Sequence, residues 1–244
     1  MKESILTTAL VTVTHDPTGK NIKLFKELQR SFEEIYAELF ITISEETSEE
    51  LISEVRKSKF KYKIIPKNGA AYARREALKF ALAGKRQHYH YCDLDRLLTW
   101  GKNYLTELEE VVEDIPNHDY LIIGRTERAM STHPIEWIET EKITNKIFSL
   151  ELGKDMDVTA GSCAFSRVCA DVINTFSNAE MTDAEWAMIT YRIAKKQVSY
   201  YAVEGLEYQE EINGLNRKIS ETEKWFSRLK LSCIISETAI KVGK

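Results

Sequence analysis

The sequence has no apolar run approaching the roughly 20 residues that a membrane-spanning helix requires, so no transmembrane segment is expected. It has no surplus of positive charge: 34 Lys and Arg stand against 38 Asp and Glu, a formal charge of −4. A chain without a general positive field is no partner for nucleic acid through non-specific phosphate contacts, although a local basic cleft stays open. Cysteine is scarce, and Cys92, Cys163, Cys169 and Cys233 form no C-x-x-C pair. That argues against a disulfide framework and a structural zinc site, and for free thiols in the cytoplasm. The glycine-rich phosphate loops are missing too. There is no G-x-x-x-x-G-K-[ST], which excludes P-loop NTPases, and no G-x-G-x-x-G after the first strand, which leaves a dinucleotide fold unsupported. No internal repeat, low-complexity tract or linker stands out.

What is there suits one large α/β unit. Of 244 residues, 43% are apolar and 30% charged, enough material for a core under a soluble surface. The opening "MKESILTTALVTVTHD" lacks a basic leader region and a small-residue cleavage site, and its Thr and Val suit a buried strand. Strands are expected at 5–13, 37–44, 61–66, 88–92 and 120–125, with amphipathic helices between them. Ile22, Phe25, Leu28, Phe32 and Ile35 mark one helical stripe; Ala70, Ala73, Ala77 and Phe80 mark another; Tyr104, Leu108, Val111 and Ile115 mark a third. This alternation predicts a mostly parallel sheet flanked by helices. After Arg125 the pattern loosens into a loop, then a helix near 135–150, a strand at 158–165, helices at 167–176 and 183–195, and a strand at 197–205. Leu215, Ile219, Phe226 and Leu229 give the tail a helical stripe.

The stretch "HYHYCDLDRLLTW" ends an apolar strand on two carboxylates, Asp93 and Asp95. Like charges so close repel, so water or a cation must compensate them. In an open α/β sheet, ligands bind beyond the C-terminal strand ends. Thr14, His15 and Asp16 follow the first strand, Ser44 and Glu45 the second, and Asp93 and Asp95 the fourth, so a parallel sheet gathers them on one rim. Carboxylate ligands suit a hard cation, Mg²⁺ or Mn²⁺, shared with phosphates. A solvated helix N-cap is the alternative for these aspartates, and likewise for Asp183 in "MTDAEW".

Four stretches in order resemble the GT-A glycosyltransferases, especially glycosyltransferase family 2. "LVTVTHDPTGKNIKLFKELQRSF" resembles the first strand and helix, whose junction touches the nucleotide. "IIPKNGAAYARREALKFAL" resembles the Asn, Gly, Ala-Arg stretch before the metal strand. "YHYCDLDRLL" resembles that strand and its D-x-D. "MTDAEWAMITYRIAKKQVSYYAVEG" resembles the late segment that carries the catalytic base. The sequence departs from the family at Arg75, where an asparagine is usual, at Thr182, where a glutamate precedes the aspartate, and at Ser44, Glu45 and Glu46, where aspartates are common. No Q-x-x-R-W-type helix is present, which disfavours a processive polysaccharide synthase.

The resemblance implies a GT-A (Rossmann-like) domain over 1–210 with a C-terminal helical extension, 211–244, packed on the same globule. It implies a transferase that moves a sugar from a nucleotide-sugar donor to a hydroxyl acceptor: a glycan, a lipid-linked sugar or a small molecule. Asp93 and Asp95 would hold Mn²⁺ or Mg²⁺, and Asp183, with Glu185 as its rival, would be the catalytic base. Thr14, His15, Asp16 and Glu45 would meet the nucleoside; Asn68, Gly69, Arg74, Asp93 and Leu94 would also bind the nucleotide sugar, Arg74 through a phosphate or carboxylate; Gly161 and Ser162 would lie by the sugar or acceptor. No histidine follows His133, which favours inversion over retention. The alternative is a non-catalytic nucleotide-binding or scaffold protein of the same fold. His88 and His90 read as packed strand histidines, His133 as a possible acceptor contact, and Trp137 and Trp186 as either sugar-stacking or core residues.

Overall fold

The computed structural model describes residues 6–214 and 219–244. The expected tail position Leu215, and Ile5 at the start of the first strand, lie outside them. Seven strands form one sheet: β1 Thr8–Thr14, β2 Glu38–Ser44, β3 Lys61–Ile65, β4 His88–Cys92, β5 Tyr120–Arg125, β6 Ser162–Ser166 and β7 Val198–Val203. Their order across the sheet is β3-β2-β1-β4-β6-β5-β7. All neighbours run parallel except β6, which lies antiparallel between β4 and β5. Ala9, Leu10 and Val11 are wholly buried, as expected of a central strand covered on both faces. Phe25, Phe32, Leu97 and Trp100 belong to the core on one side of the sheet; Tyr89, Phe165, Ile173 and Trp186 belong to the core on the other.

The helices are α1 Ile22–Ile35, α2 Glu49–Lys57, α3 Ala70–Leu82, α4 Leu94–Asn103, α5 Leu105–Asp114, α6 Glu127–Ser131, α7 Ile135–Leu152, α8 Arg167–Phe176, α9 Asp183–Met188, α10 Glu210–Asn213 and α11 Glu221–Lys241. The GT-A-type sheet and most helices fall where the sequence predicts them; the short α6 and α10 lie in stretches given no helix, and three further differences stand out. The helix α4, absent from the sequence reading, starts directly after Asp93. It buries Leu94, Arg96, Leu97, Leu98, Thr99, Trp100 and Gly101, and follows the aspartate pair with no turn residue to mark its start. The strand expected at 158–165 begins only at Ser162, because Gly161 takes φ +77° and breaks the extended run. The helix expected over 183–195 stops at Met188 and passes into a π-helical turn, Ile189–Ile193. Helix α11 opens on a capping box between Ser220 and Glu223 and packs along α7 and α9. No helix among the described residues is long and apolar enough to cross a membrane.

Candidate active site

A cavity of about 330 Å³ opens where β4 ends, β6 begins and α11 crosses α7. Arg74, Asp93, Asp95, Gly161 and Asp183 all line it, so the structure gathers five of the expected site residues from four separate stretches. Asp93 occupies the N-cap position of α4, yet its side chain makes no capping hydrogen bond. Its Oδ2 accepts from Arg74 Nη2 at 2.8 Å, and its Oδ1 accepts from the Tyr91 hydroxyl. Thr182 repeats the pattern. It stands at the N-cap of α9 without capping it, and its hydroxyl accepts from Arg74 Nη1 at 3.1 Å. The same Nη1 donates to Asp183 Oδ2 at 2.7 Å.

Arg74 is thus the hinge of the site. Helix α3 presents it against the Tyr91 ring, 5.6 Å from its centroid, and between two carboxylates. Burial opposes its charge, but Asp183 and Asp93 hold its pKa well above the ordinary value. Its Nε is buried without a hydrogen-bond partner. Burial also raises the pKa of the Tyr91 phenol well above normal, which keeps it a donor to Asp93.

Asp95 is served differently. Asn213 Nδ2 donates to its Oδ2 at 3.1 Å, and Thr99 donates to its backbone carbonyl at 3.0 Å. Burial raises its pKa; Arg96 pulls the value down, and the charge of Asp93 pushes it up again. A half-buried carboxylate whose charge its neighbours compensate only in part is a place where a cation is favourable. Among the described residues no group of three or more His, Cys, Asp or Glu forms a metal cage. Two carboxylates alone match the way Mg²⁺-like ions bind, with substrate phosphates and water completing the shell. The residues present therefore fit such an ion, with Asp95 the better anchor because Arg74 already engages Asp93.

Gly161 closes the floor. A Cβ at this position would sit 3.1 Å from Asp93 Oδ2, and its carbonyl accepts from the Asp93 N–H at 3.3 Å. Ser162 turns inward instead, to His90 Nε2 at 2.9 Å and the Tyr91 carbonyl at 3.2 Å. His90 Nδ1 meets the Tyr36 hydroxyl at 2.7 Å, so this histidine is a buried strand residue, with its pKa pushed by burial to about 3.

Other expected residues stand apart from the cavity. Asp16 is buried and accepts from the backbone N–H of Lys20 and Asn21, at 3.2 and 3.0 Å, shaping the β1–α1 loop. His15 Nδ1 meets Ser44 Oγ at 3.1 Å, and Glu45 accepts from the Lys67 N–H at 3.4 Å. Thr14 ends β1 on the same rim, Asn68 lies in the β3–α3 turn, and Gly69 takes φ +85° before α3. The Leu94 side chain goes into the core.

Glu185 calls for a correction. Its side chain is fully buried and accepts from Ser177 Oγ, from the N–H groups of Asn178 and Ala179 at 2.5 Å each, and from Arg75 at 3.2 Å. Its carboxylate fastens the loop before α9 and does not line the cavity, so it is no rival to Asp183. The departure at Arg75 has the same explanation, since Arg75 completes that fastening through Ser177 and the Ala179 carbonyl.

The sequence reading missed Arg96, Glu141, Asn213 and Arg228, which also line the cavity, and left Trp137 undecided. Asn213 sits in the four-residue α10, too short for any periodicity. Arg228 lies on a charged stretch of α11 where nothing local distinguishes it from its exposed neighbours. Trp137 lines the cavity, whereas Trp186 packs edge-on against Tyr91 and Phe165 in the core.

No family model and no curated protein matches the sequence. Solved structures match in fold. The glucosyl-3-phosphoglycerate synthase of Mycobacterium tuberculosis, in complex with Mn²⁺, UDP and phosphoglyceric acid, aligns over 98% of this chain and 80% of its own, with a TM-score of 0.57 and 11% identity. The same synthase with UDP aligns over 93% and 80%, at a TM-score of 0.54 and 13% identity. The 4-diphosphocytidyl-2C-methyl-D-erythritol synthase of Anaerococcus prevotii aligns over 93% of this chain and 98% of its own, at a TM-score of 0.51 and 9% identity. The likeness lies in the fold, a GT-A (Rossmann-like) mostly parallel sheet flanked by helices.

Proposed function

We propose that the chain is a metal-dependent glycosyltransferase, moving a sugar from a nucleoside-diphosphate sugar to a hydroxyl acceptor with inversion. One observation carries the reading: Asp93, Asp95 and Asp183 meet at a single cavity at the strand-end rim, with Arg74 joining the first to the third. The fold is shared with a synthase solved with Mn²⁺ and UDP, which supports that class of donor. It is also shared with a diphosphocytidyl synthase, so the fold alone does not choose the reaction. The β1–α1 loop "THDPTGKN" carries no glycine-rich, arginine-bearing nucleotidyltransferase signature, which favours sugar transfer.

In this mechanism Thr14, His15 and Glu45 meet the nucleoside, Asp16 holds their loop, and Asp93 and Asp95 face the diphosphate. Bound there, Mn²⁺ or Mg²⁺ would neutralise the charge that builds on the leaving nucleoside diphosphate. The acceptor oxygen bonds the anomeric carbon as the bond to the diphosphate oxygen breaks, and a single displacement inverts that carbon. Asp183 takes the hydroxyl proton. Arg74 fixes its Oδ2, leaving Oδ1 for the acceptor. Residues 1–210 form the transferase unit in this reading, and the 211–244 extension contributes one wall of its cavity. The four cysteines are unpaired, which suits a reducing compartment such as the cytoplasm.

A second reading, a non-catalytic nucleotide-binding protein, draws on the same Arg74 bonds, which hold the two aspartates together without any substrate. A thermal-shift screen of UDP, GDP, ADP and their sugars, with and without Mn²⁺, tests both. A nucleotide at about 100 times its dissociation constant should add roughly 2.7 kcal/mol of stability. EDTA or Asp95→Asn should abolish that gain. Stabilisation of equal size with and without metal sinks the metal assignment. Stabilisation without transfer from any bound donor favours the second reading.

A further inference from the structure

On the α7–α11 side of the cavity, away from the first strands, two arginines meet against one aromatic ring. Arg96, in the first turn of α4, is 9% exposed and lines the cavity. It forms no ion pair with a carboxylate of the described residues; its one side-chain hydrogen bond goes from Nη1 to His133 Nε2, at 3.1 Å. His133 is itself buried and neutral. Its Nδ1–H donates to the Ala129 carbonyl at 3.0 Å, and burial together with the Arg96 charge holds its pKa down to about 2. A neutral imidazole therefore orients Arg96 without compensating it. Asp95 feels the Arg96 charge and takes a hydrogen bond from its backbone, but forms no ion pair with its guanidinium.

Arg228 reaches the same place from α11. Its guanidinium lies 3.9 Å from the centre of the Trp137 ring, and that of Arg96 lies 5.5 Å from it. Arg228 bonds Glu141, but that carboxylate also accepts from Arg125 at 2.6 Å. Arg125 in turn is held in two bonds by Asp157, at 2.8 and 2.9 Å. Arg125 and Arg228 thus share Glu141, Asp157 serves Arg125, and Arg96 bonds neither carboxylate. The Arg228 Nε is buried with no hydrogen-bond partner. Burial, and the like charges of Arg96 and Arg125, lower its pKa against the pull of Glu141.

A buried cation without an anion is costly, and a guanidinium pair on an aromatic face is suited to an oxyanion with several acceptor oxygens. We propose that Arg96 and Arg228, set against Trp137, form a subsite for a phosphate or carboxylate group carried by the acceptor. The acceptor class that follows is an anionic hydroxy compound, a hydroxy acid or a phosphorylated alcohol, presenting its hydroxyl to Asp183. The placement rests on the transferase reading above; the anion subsite itself does not.

Inorganic phosphate is the probe, titrated by calorimetry into the full chain in EDTA, where no metal contributes. Wild type should bind it with a dissociation constant on the order of 1 mM. Arg96→Gln and Arg228→Gln should each weaken binding at least about tenfold, a loss that corresponds to one charge-assisted contact. Arg96→Lys, which keeps the charge, should retain most of the affinity, and thermal melts confirm that each variant is folded. A second titration is run with pyrophosphate and Mg²⁺ present as a stand-in for the donor diphosphate. Undiminished phosphate binding supports the acceptor assignment. Displacement by pyrophosphate overturns it, because the arginines then hold the donor. Absence of phosphate binding in wild type, or equal binding in Arg96→Gln, overturns the subsite altogether. Phosphate binding by a protein that no nucleotide stabilises would leave the subsite standing and defeat the transferase reading instead.

Discussion

A single aspartate carries the sharpest question. Asp183 shares Arg74 with Asp93, so Asp183→Asn does more than remove the proposed base. The asparagine can still accept from Arg74, but a buried guanidinium loses one of its two carboxylates. A stability loss of about 1–3 kcal/mol is expected, measured by urea unfolding. Transfer, assayed where the variant is folded, should fall by about 10² or more, the usual scale for a lost general base. Metal-dependent nucleotide binding should persist, since Asp95 is untouched. Full transfer by the variant would move the base elsewhere. At this scale the sequence was only partly legible. That Asp93, Asp95 and Asp183 line one cavity could be anticipated from their places at a strand end and a helix start. The different placement of Asp183 and Glu185 could not, because two carboxylates two residues apart look alike until the fold turns one to the cavity and the other to the loop at 177–179.

Among the elements, the antiparallel β6 decides the shape of the rim. Because it runs against its neighbours, its first residues arrive where β4 ends, and Gly161 meets Asp93. Gly161→Ala should cost about 1–2 kcal/mol through its left-handed backbone alone. The added Cβ, 3.1 Å from Asp93 Oδ2, should also shift that carboxylate and weaken metal-dependent nucleotide binding. Denaturation and calorimetry on the one variant read both effects; unchanged affinity would mean that Gly161 does not set Asp93. The strands were legible because their apolar runs and turn residues are strong local signals. Helix α4 was not, since it follows the strand and its aspartate pair with no Gly or Pro to separate the two elements. The π turn after α9 has no sequence signature of its own, and the strand boundary at Ser162 depended on one backbone angle.

For the molecule as a whole, the buried histidines predict acid sensitivity. His90 and His133 are held neutral in the fold, with pKa values pushed to about 3 and about 2, whereas in the unfolded chain each titrates near 6.5. Below about pH 6.5 the unfolded state binds more protons, so stability falls as pH drops. It is fully present above that pH. The slope should be about 1.4 kcal/mol per pH unit for each histidine, or roughly 2 kcal/mol each by pH 5. Urea unfolding from pH 7.5 to 5 measures it, and His90→Gln should remove about half of the slope. A flat profile would show that these imidazoles are not desolvated as described. The global architecture was legible from strand–helix alternation, whereas the cavity wall supplied by α11 was not, because long-range contacts leave no local trace.

The bonds that close the cavity also set an order of events in time. Arg74 and Asp183 lie 109 positions apart, and Asp95 and Asn213 lie 118 apart. At ribosomal speeds of roughly 5–20 residues per second, Asp183 emerges about 5–20 s after Arg74. Meanwhile Asp93 is the only one of its two acidic partners that Arg74 can meet. A nascent chain stopped before Asn213 displays the D-x-D aspartates, yet lacks the amide that steadies one of them and the α11 wall beyond. Synthesis thus delivers the first strands well before the residues that complete the cavity, and a truncated product would be left without them.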